Sequence, residues 1–194
     1  PLQKLGQTSN RRGTSTTFHA DEQIFGHHRF KPVRLFKSIR SKAYLFSGVE
    51  IRWKCAPELI KTGDDTPAEA TFHFPGGLAD YLNEVLGKSS TYADAPFGGT
   101  VDFKEKFGQP GKVNWAINWT PSRDGFIQSY CNTVPPPEGG THEAGLRAGV
   151  FEAVKAFIEH HALLPRGVKL QQEDVCARLA FLLSARILDP QFQG

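Results

Sequence analysis

The sequence predicts an α+β fold, on three observations. Residues after 97 read in the order strand, strand, strand, helix, strand, which suits a mixed sheet with helices on one face. Val113, Trp115, Ile117 and Trp119 alternate with polar residues at period two, pointing inward while Asn114 and Asn118 point outward. Residues 141–162 carry a helical stripe made of Leu146, Val150, Ala153, Val154, Phe157 and Ile158.

Taken in order, residues 1–12 form a polar approach ending in Arg11-Arg12, and the threonine-rich stretch Gly13–Phe18 predicts a short strand. Pro32 suits the first turn of a helix running to about Ala43, with Val33, Leu35, Phe36 and Ile39 inward and Arg34, Lys37, Arg40 and Lys42 outward. Ser47-Gly48 ends it. Val49, Ile51, Trp53 and Cys55 then alternate with charged residues as a half-buried strand. The solvated link 62–67 leads to a return strand over Thr71–Phe74. Gly76-Gly77 opens a helix carrying Leu78, Tyr81, Leu82, Val85 and Leu86 on one side.

Residues 87–100 shift to Gly, Ser, Pro and Ala, which marks a domain boundary and a flexible joint near 87–97. Three strands follow, over Val101–Phe107, Val113–Trp119 and Phe126–Asn132, with turns at Gln109-Pro110-Gly111 and Ser122-Arg123-Asp124-Gly125. Pro135-Pro136-Pro137 stiffens the next link. Gly139-Gly140 and a capping Thr141 then open the long helix, which Leu164-Pro165-Arg166-Gly167 stops. A helical turn at 172–177 and a strand over Leu179–Ile187 close the chain.

Composition narrows the class. Hydrophobic residues make up 39% and charged ones 22%, ordinary for a globular protein. No apolar run approaches the roughly 20 residues of a membrane span, and no basic-then-apolar leader is visible. The net charge of +3 is too small to argue for nucleic acid by itself. Cys55, Cys131 and Cys176 are odd in number and far apart, which points to a reducing compartment. The absence of Met, even at position 1, predicts a piece of a longer protein.

Few residues announce chemistry. Cys131 lies in an alternating strand and reads as packing, since a reactive thiol needs an electropositive niche. The adjacent pairs His27-His28 and His160-His161 diverge on any regular element, so neither chelates a metal alone. Glu173-Asp174 suits a helix start and Asp64-Asp65 a wet loop. No Walker-type phosphate loop is present. Arg147 projects from the first turns of the long helix, opposite its apolar stripe. The helix dipole disfavours a cation there, which suggests an anionic partner or a local carboxylate.

Four phrases occur in a fixed order: Gly13-Thr14, Phe74-Pro75-Gly76-Gly77-Leu78, the run from Gly139 through Thr141-His142-Glu143 to Arg147, and Asp189-Pro190-Gln191-Phe192. As a set they resemble the B subunits of bacterial type IIA DNA topoisomerases. Val113-Asn114-Trp115-Ala116 with Trp119, Leu163 through Leu170, and Leu188 through Phe192 resemble the topoisomerase IV branch more than the gyrase branch.

The resemblance implies that residues 1–90 are the C-terminal part of a GHKL-type ATPase domain and 91–194 a transducer domain of ribosomal S5 domain 2-like fold. It implies that Thr14 lines the adenine pocket and that Arg147 faces a cavity through which a DNA duplex passes. It brings ATP and Mg as cofactors of the whole protein. DNA, an A-type topoisomerase subunit and a second B subunit are the partners it implies, in a cytoplasmic A2B2 assembly. It assigns this stretch no catalytic residue and no metal ligand. The ATPase base, the Mg-holding asparagine and the glycine-rich lid belong before Pro1, and a phosphate-reaching Gln-Thr-Lys loop belongs after Gly194. Hydrolysis by this stretch alone is not expected.

Two other classes fit in part. A non-enzymatic S5-like nucleic-acid-binding module accounts for the β-rich half and the mild basicity, but not for residues 1–90. Another GHKL-coupled machine, such as a mismatch-repair or chaperone ATPase, shares the architecture but is expected to lack the combined Gly-Gly-Thr-His and Asp-Pro-Gln-Phe phrases.

Overall fold

A computed structural model describes residues 3, 6–7, 12–27, 29–87, 89–104, 110–122 and 125–192. Arg11, His28, the expected strand end at Phe107, the turn residues Gln109 and Arg123-Asp124, and Gln193-Gly194 lie outside the described residues. The chain divides into two units, Pro1–Lys31 and Pro32–Gly194.

In the first unit, helix α1 (Glu22–Phe25) starts where the Gln23 N–H donates to the Asp21 side chain at 2.8 Å. The Phe18 and Phe30 rings meet edge to face at 5.5 Å. The strand expected over Gly13–Phe18 does not form. Threonine favours a pleated surface, but a strand is stabilised by cross-strand neighbours, and this stretch has none.

In the second unit, helix α2 (Pro32–Leu45) buries Ser41, Ala43, Tyr44 and Leu45, so its apolar face lies toward its C-terminal end. Leu35, expected inward, is 40% exposed. Strands β1 (Glu50–Lys54) and β2 (Glu69–His73) pair antiparallel, with Ile51 opposite Phe72, and a short 3-10 turn (Pro57–Leu59) sits in their link. Helix α3 (Leu78–Leu86) follows the Phe-Pro-Gly-Gly turn. There Gly77 takes φ +62, which a side chain would resist, and its N–H donates to the Phe74 carbonyl at 2.9 Å. Gly76 donates to Asp80 at 2.6 Å.

The main sheet comprises β3 (Phe97–Lys104), β4 (Pro110–Trp119), β5 (Ile127–Cys131) and β6 (Leu179–Arg186), in the order β3-β4-β6-β5. Only the β5–β6 pair is parallel. Between them run the long helix α4 (Thr141–His160) and the short helix α5 (Gln172–Cys176). Gln171 and Asp174 close a capping box at the start of α5. No helix among the described residues is long and apolar enough to cross a membrane.

Helices cover both faces of this sheet, a correction to the single covered face expected. Ile117, Leu179, Phe181 and Leu183 meet Leu146, Val150, Val154 and Val175 of α4 and α5 on one face. Ala116, Tyr130, Ala180 and Leu182 meet Tyr44, Leu78, Leu82 and Leu86 of α2 and α3 on the other. The one-face rule holds for the elements after residue 97; the earlier helices supply the second layer. For the same reason Asn118, expected outward, is 1% exposed. Its amide donates to the Ala93 carbonyl at 3.0 Å, and its oxygen accepts the Trp119 N–H at 2.8 Å.

The stretch expected as a flexible joint is tied to the sheet. Phe97–Thr100 already belong to β3, the Tyr92 N–H donates to the Trp119 carbonyl at 2.9 Å, and Arg178 reaches the Tyr92 hydroxyl at 3.2 Å. Further polar links join α2 to the β5 edge. The Tyr44 and Tyr130 hydroxyls bond each other inside the core, and Lys42 Nζ donates to the Thr133 carbonyl at 2.9 Å. Arg186 donates to the Leu45 carbonyl at 2.6 Å and lies 4.6 Å from the Phe46 ring centre.

Two outcomes follow from this core. Leu182 is fully buried, so Leu182→Ala lowers the unfolding free energy by about 2–5 kcal/mol in a urea titration. Burial pushes the Tyr44 and Tyr130 hydroxyls above the usual phenol value, so both remain protonated in the fold while the unfolded chain ionises near pH ~10. Stability is therefore intact below about pH 10 and lost above it, with a slope of up to about 1.4 kcal/mol per pH unit for each tyrosine. Denaturant titrations repeated at rising alkaline pH measure that slope, and Tyr44→Phe reduces it.

Candidate functional site

The entry to α4 is built by β5 and the tight turn after it. Cys131 and Val134 bond each other's backbones at 2.9 Å in both directions, with Asn132 at φ +46 and Thr133 at φ +69 between them. Asn132 then brackets Ile187, donating to its carbonyl at 2.8 Å and accepting its N–H at 2.9 Å. This fixes the end of β5 against the end of β6. Three prolines carry the chain on to Gly139, at φ +71, and to Gly140, the N-cap of α4.

Thr141 does not cap the helix, contrary to expectation. It occupies the first helical position, and no side chain bonds the helix start. The anionic partner of this end is Glu143, in the first turn, whose carboxylate accepts the Ser129 hydroxyl at 2.5 Å. The carboxylate thus ties α4 to β5 and faces the helix dipole in its favourable sense.

Arg147 sits one turn further along. The expectation that it projects away from the apolar stripe is corrected: it is half-buried, with its guanidinium 5.1 Å from the Phe181 ring centre. Phe181 is fully buried, so the cation caps the inner wall of the sheet. No ion pair among the described residues includes Arg147. The local carboxylate considered from sequence forms no ion pair with it within that set. The Cys176 thiol meets the Arg147 carbonyl at 3.7 Å; burial pushes that thiol up, against the pull of the guanidinium.

Helix α4 carries no fully buried residue, and Phe157, expected in its stripe, is 58% exposed. Between the helix and the sheet runs an apolar groove of about 1460 Å3, walled by Trp115, Ile117, Leu146, Val150 and Phe192. Gly145 and Gly149 lie on its helical side, where an added Cβ would meet nothing within 4 Å.

Thr14 is exposed in an extended stretch of the first unit. Cys131 is half-buried, and burial pushes its thiol up, which is the behaviour of a packing residue. Among the described residues no group of three His, Cys, Asp or Glu could hold a metal ion. Sequence reasoning missed the Ser129–Glu143 contact and the Tyr44–Tyr130 pair. Both join residues distant along the chain, and no local pattern relates them.

The family model described as DNA gyrase B matches residues 77–194. Curated relatives align along the whole chain. The B subunit of DNA topoisomerase 4 from Caulobacter vibrioides is 47% identical over 199 residues, which is 28% of that protein. The corresponding B subunit from Salmonella typhimurium is 37% identical and is covered over 29% of its length. The chain thus spans less than a third of these relatives. Among solved structures, the topoisomerase IV ATP-binding domain of Francisella tularensis, bound to a small-molecule inhibitor, matches with TM-score 0.65 and 26% identity, over 90% of this chain and 43% of that one. The 43K ATPase domain of Thermus thermophilus gyrase B, in complex with an aminocoumarin, shares the fold with TM-score 0.72 at 23% identity, over 90% of this chain and 44% of that one.

The Ser129–Glu143 contact is measurable. A double-mutant cycle of Ser129→Ala and Glu143→Ala in urea unfolding yields a coupling of about 1.5–3 kcal/mol, the range for a hydrogen bond to a charged group.

Proposed function

The chain belongs to the DNA gyrase B family, and on that premise we propose that it is part of the B subunit of an ATP-dependent type II DNA topoisomerase of the topoisomerase IV kind. The observation that carries this reading is the pair of matches: the family model over residues 77–194, and topoisomerase 4 relatives over the whole chain.

In this reading residues 1–90 end a GHKL ATPase domain and 91–194 form the transducer, and the chain couples nucleotide state to DNA gate movement and strand passage. Its contribution is mechanical. The core shared by α2, α3 and the sheet supports transmission as a rigid block, since a rotation between residues 32–86 and 97–192 would have to break that core. Thr14 touches adenine, and Arg147 offers its charge to DNA phosphates. The whole protein acts in the cytoplasm as a dimer of B subunits joined to A-type subunits.

Thr14 supplies one exposed hydroxyl to the adenine pocket. ATP and Mg enter this reading as cofactors of the whole protein.

Arg147→Gln in the full-length enzyme tests the reading. It should lower ATP-dependent strand passage by about tenfold or more with ATP turnover retained, and it should flatten the fall of duplex affinity with rising salt by about one unit of log–log slope. Unchanged strand passage beside intact turnover would remove Arg147 from the DNA path.

A further inference from the structure

On the face of the sheet opposite α4, a cavity of about 430 Å3 opens between α2 and β5. Lys37, Arg40 and Lys42 converge on it from α2, and Gln128 and Tyr130 from β5. No carboxylate is among its lining residues. Arg40 is paired with Glu84, but Lys42 donates only to a neutral carbonyl, that of Thr133, and Lys37 has no ion pair among the described residues. Lys37 and Lys42 therefore line a concavity that no carboxylate lines.

Tyr44 and Tyr130 are 3% and 1% exposed and both line the cavity. Gln128 Nε2 donates to the Tyr130 hydroxyl at 2.5 Å, and the two hydroxyls share one bond. With the Gln128 amide donating, that mutual bond uses one of the two phenolic protons. Whichever ring donates, the other proton has no acceptor among the described residues. A water or a bound group in the cavity can accept that proton. Burial keeps both phenols protonated, and burial lowers the Lys42 pKa, an effect that an anion at this point would oppose.

We propose that this cavity binds a phosphoryl group, held by Lys37 and Lys42 through charge and by a tyrosine hydroxyl through a hydrogen bond. A tetrahedral, multiply charged group suits two compact ammonium ions and a hydroxyl approaching from different sides. The volume would hold on the order of ten waters, enough for one or two phosphoryl units. The group comes either from a nucleic-acid backbone or from a small phosphorylated molecule. The site does not depend on the topoisomerase reading, because neither Thr14 nor Arg147 is among its residues.

Titration calorimetry of the full chain with pyrophosphate at low salt tests it. Saturable binding at one site is expected. Lys37→Met, at an exposed position that leaves the core untouched, weakens it about threefold or more, and the Lys37→Met/Lys42→Met double variant weakens it about tenfold or more. Tyr130→Phe weakens it further, with the thermal midpoint recorded beside it to detect lost packing. Displacement of pyrophosphate by a short DNA duplex identifies a backbone phosphate as the ligand, and its retention identifies a small phosphorylated molecule. No saturable binding, or equal binding by the native chain and the double-lysine variant, overturns the proposal.

Discussion

Strand β6 is the constraint on which the second unit depends. Seven of its eight residues are buried, and its side chains divide between two cores by simple alternation. Leu179, Phe181 and Leu183 go to the α4–α5 face, and Ala180 and Leu182 to the α2–α3 face. A one-residue slip would exchange the two sets and drive Phe181 into space now filled by Ala180 or Leu182. Register is held from both sides, by antiparallel pairing with β4 and parallel pairing with β5. Each face contributes apolar burial that neither layer could supply alone.

Polar contacts then fix how the outer layers sit on that wall. On the α2 side they cluster at the β5 edge: the tyrosine pair, Lys42 on the Thr133 carbonyl, and Arg186 on the Leu45 carbonyl. On the α4–α5 side Ser129 bonds Glu143 at the start of a helix that buries no residue fully, and Trp119 Nε1 donates to the Val175 carbonyl of α5 at 2.8 Å. The two layers therefore differ in how tightly they are held. The α2–α3 layer is bonded into the sheet and shares its core, whereas α4 lies over a wide apolar groove and is tied to β5 at its start. Motion in this unit is easier for α4 than for α2 and α3, because fewer buried contacts resist it.

Much of this was legible in the sequence. Period-two alternation located β1 and β4, and a continuous apolar run located β6, because those patterns report burial directly. Proline at the start of α2 and the glycine pair before α3 marked helix starts through backbone chemistry alone. Position in the fold was less legible. Asn118 reads as outward by alternation, yet a second layer from residues 32–86 covers its face. The threonines of Gly13–Phe18 have the propensity of a strand but no neighbour to pair with. The cavity between α2 and β5 was invisible for the same reason: Tyr44 and Tyr130 are 86 residues apart, and nothing local relates them.

Arg147 shows how the two kinds of information combine. The dipole penalty fades within the first turn of α4, and Arg147 lies beyond it. Its contact with Phe181 contributes about 0.5–1 kcal/mol, enough to hold the side chain in one orientation. Local stability therefore explains where the guanidinium lies but leaves its charge unused, with no carboxylate partner among the described residues. A cation oriented by stacking loses little further freedom on meeting an anion. With Lys37 and Lys42 on the α2 side, this places positive charge on both faces of one sheet, so an anion bound at either face would act on the same β6 wall.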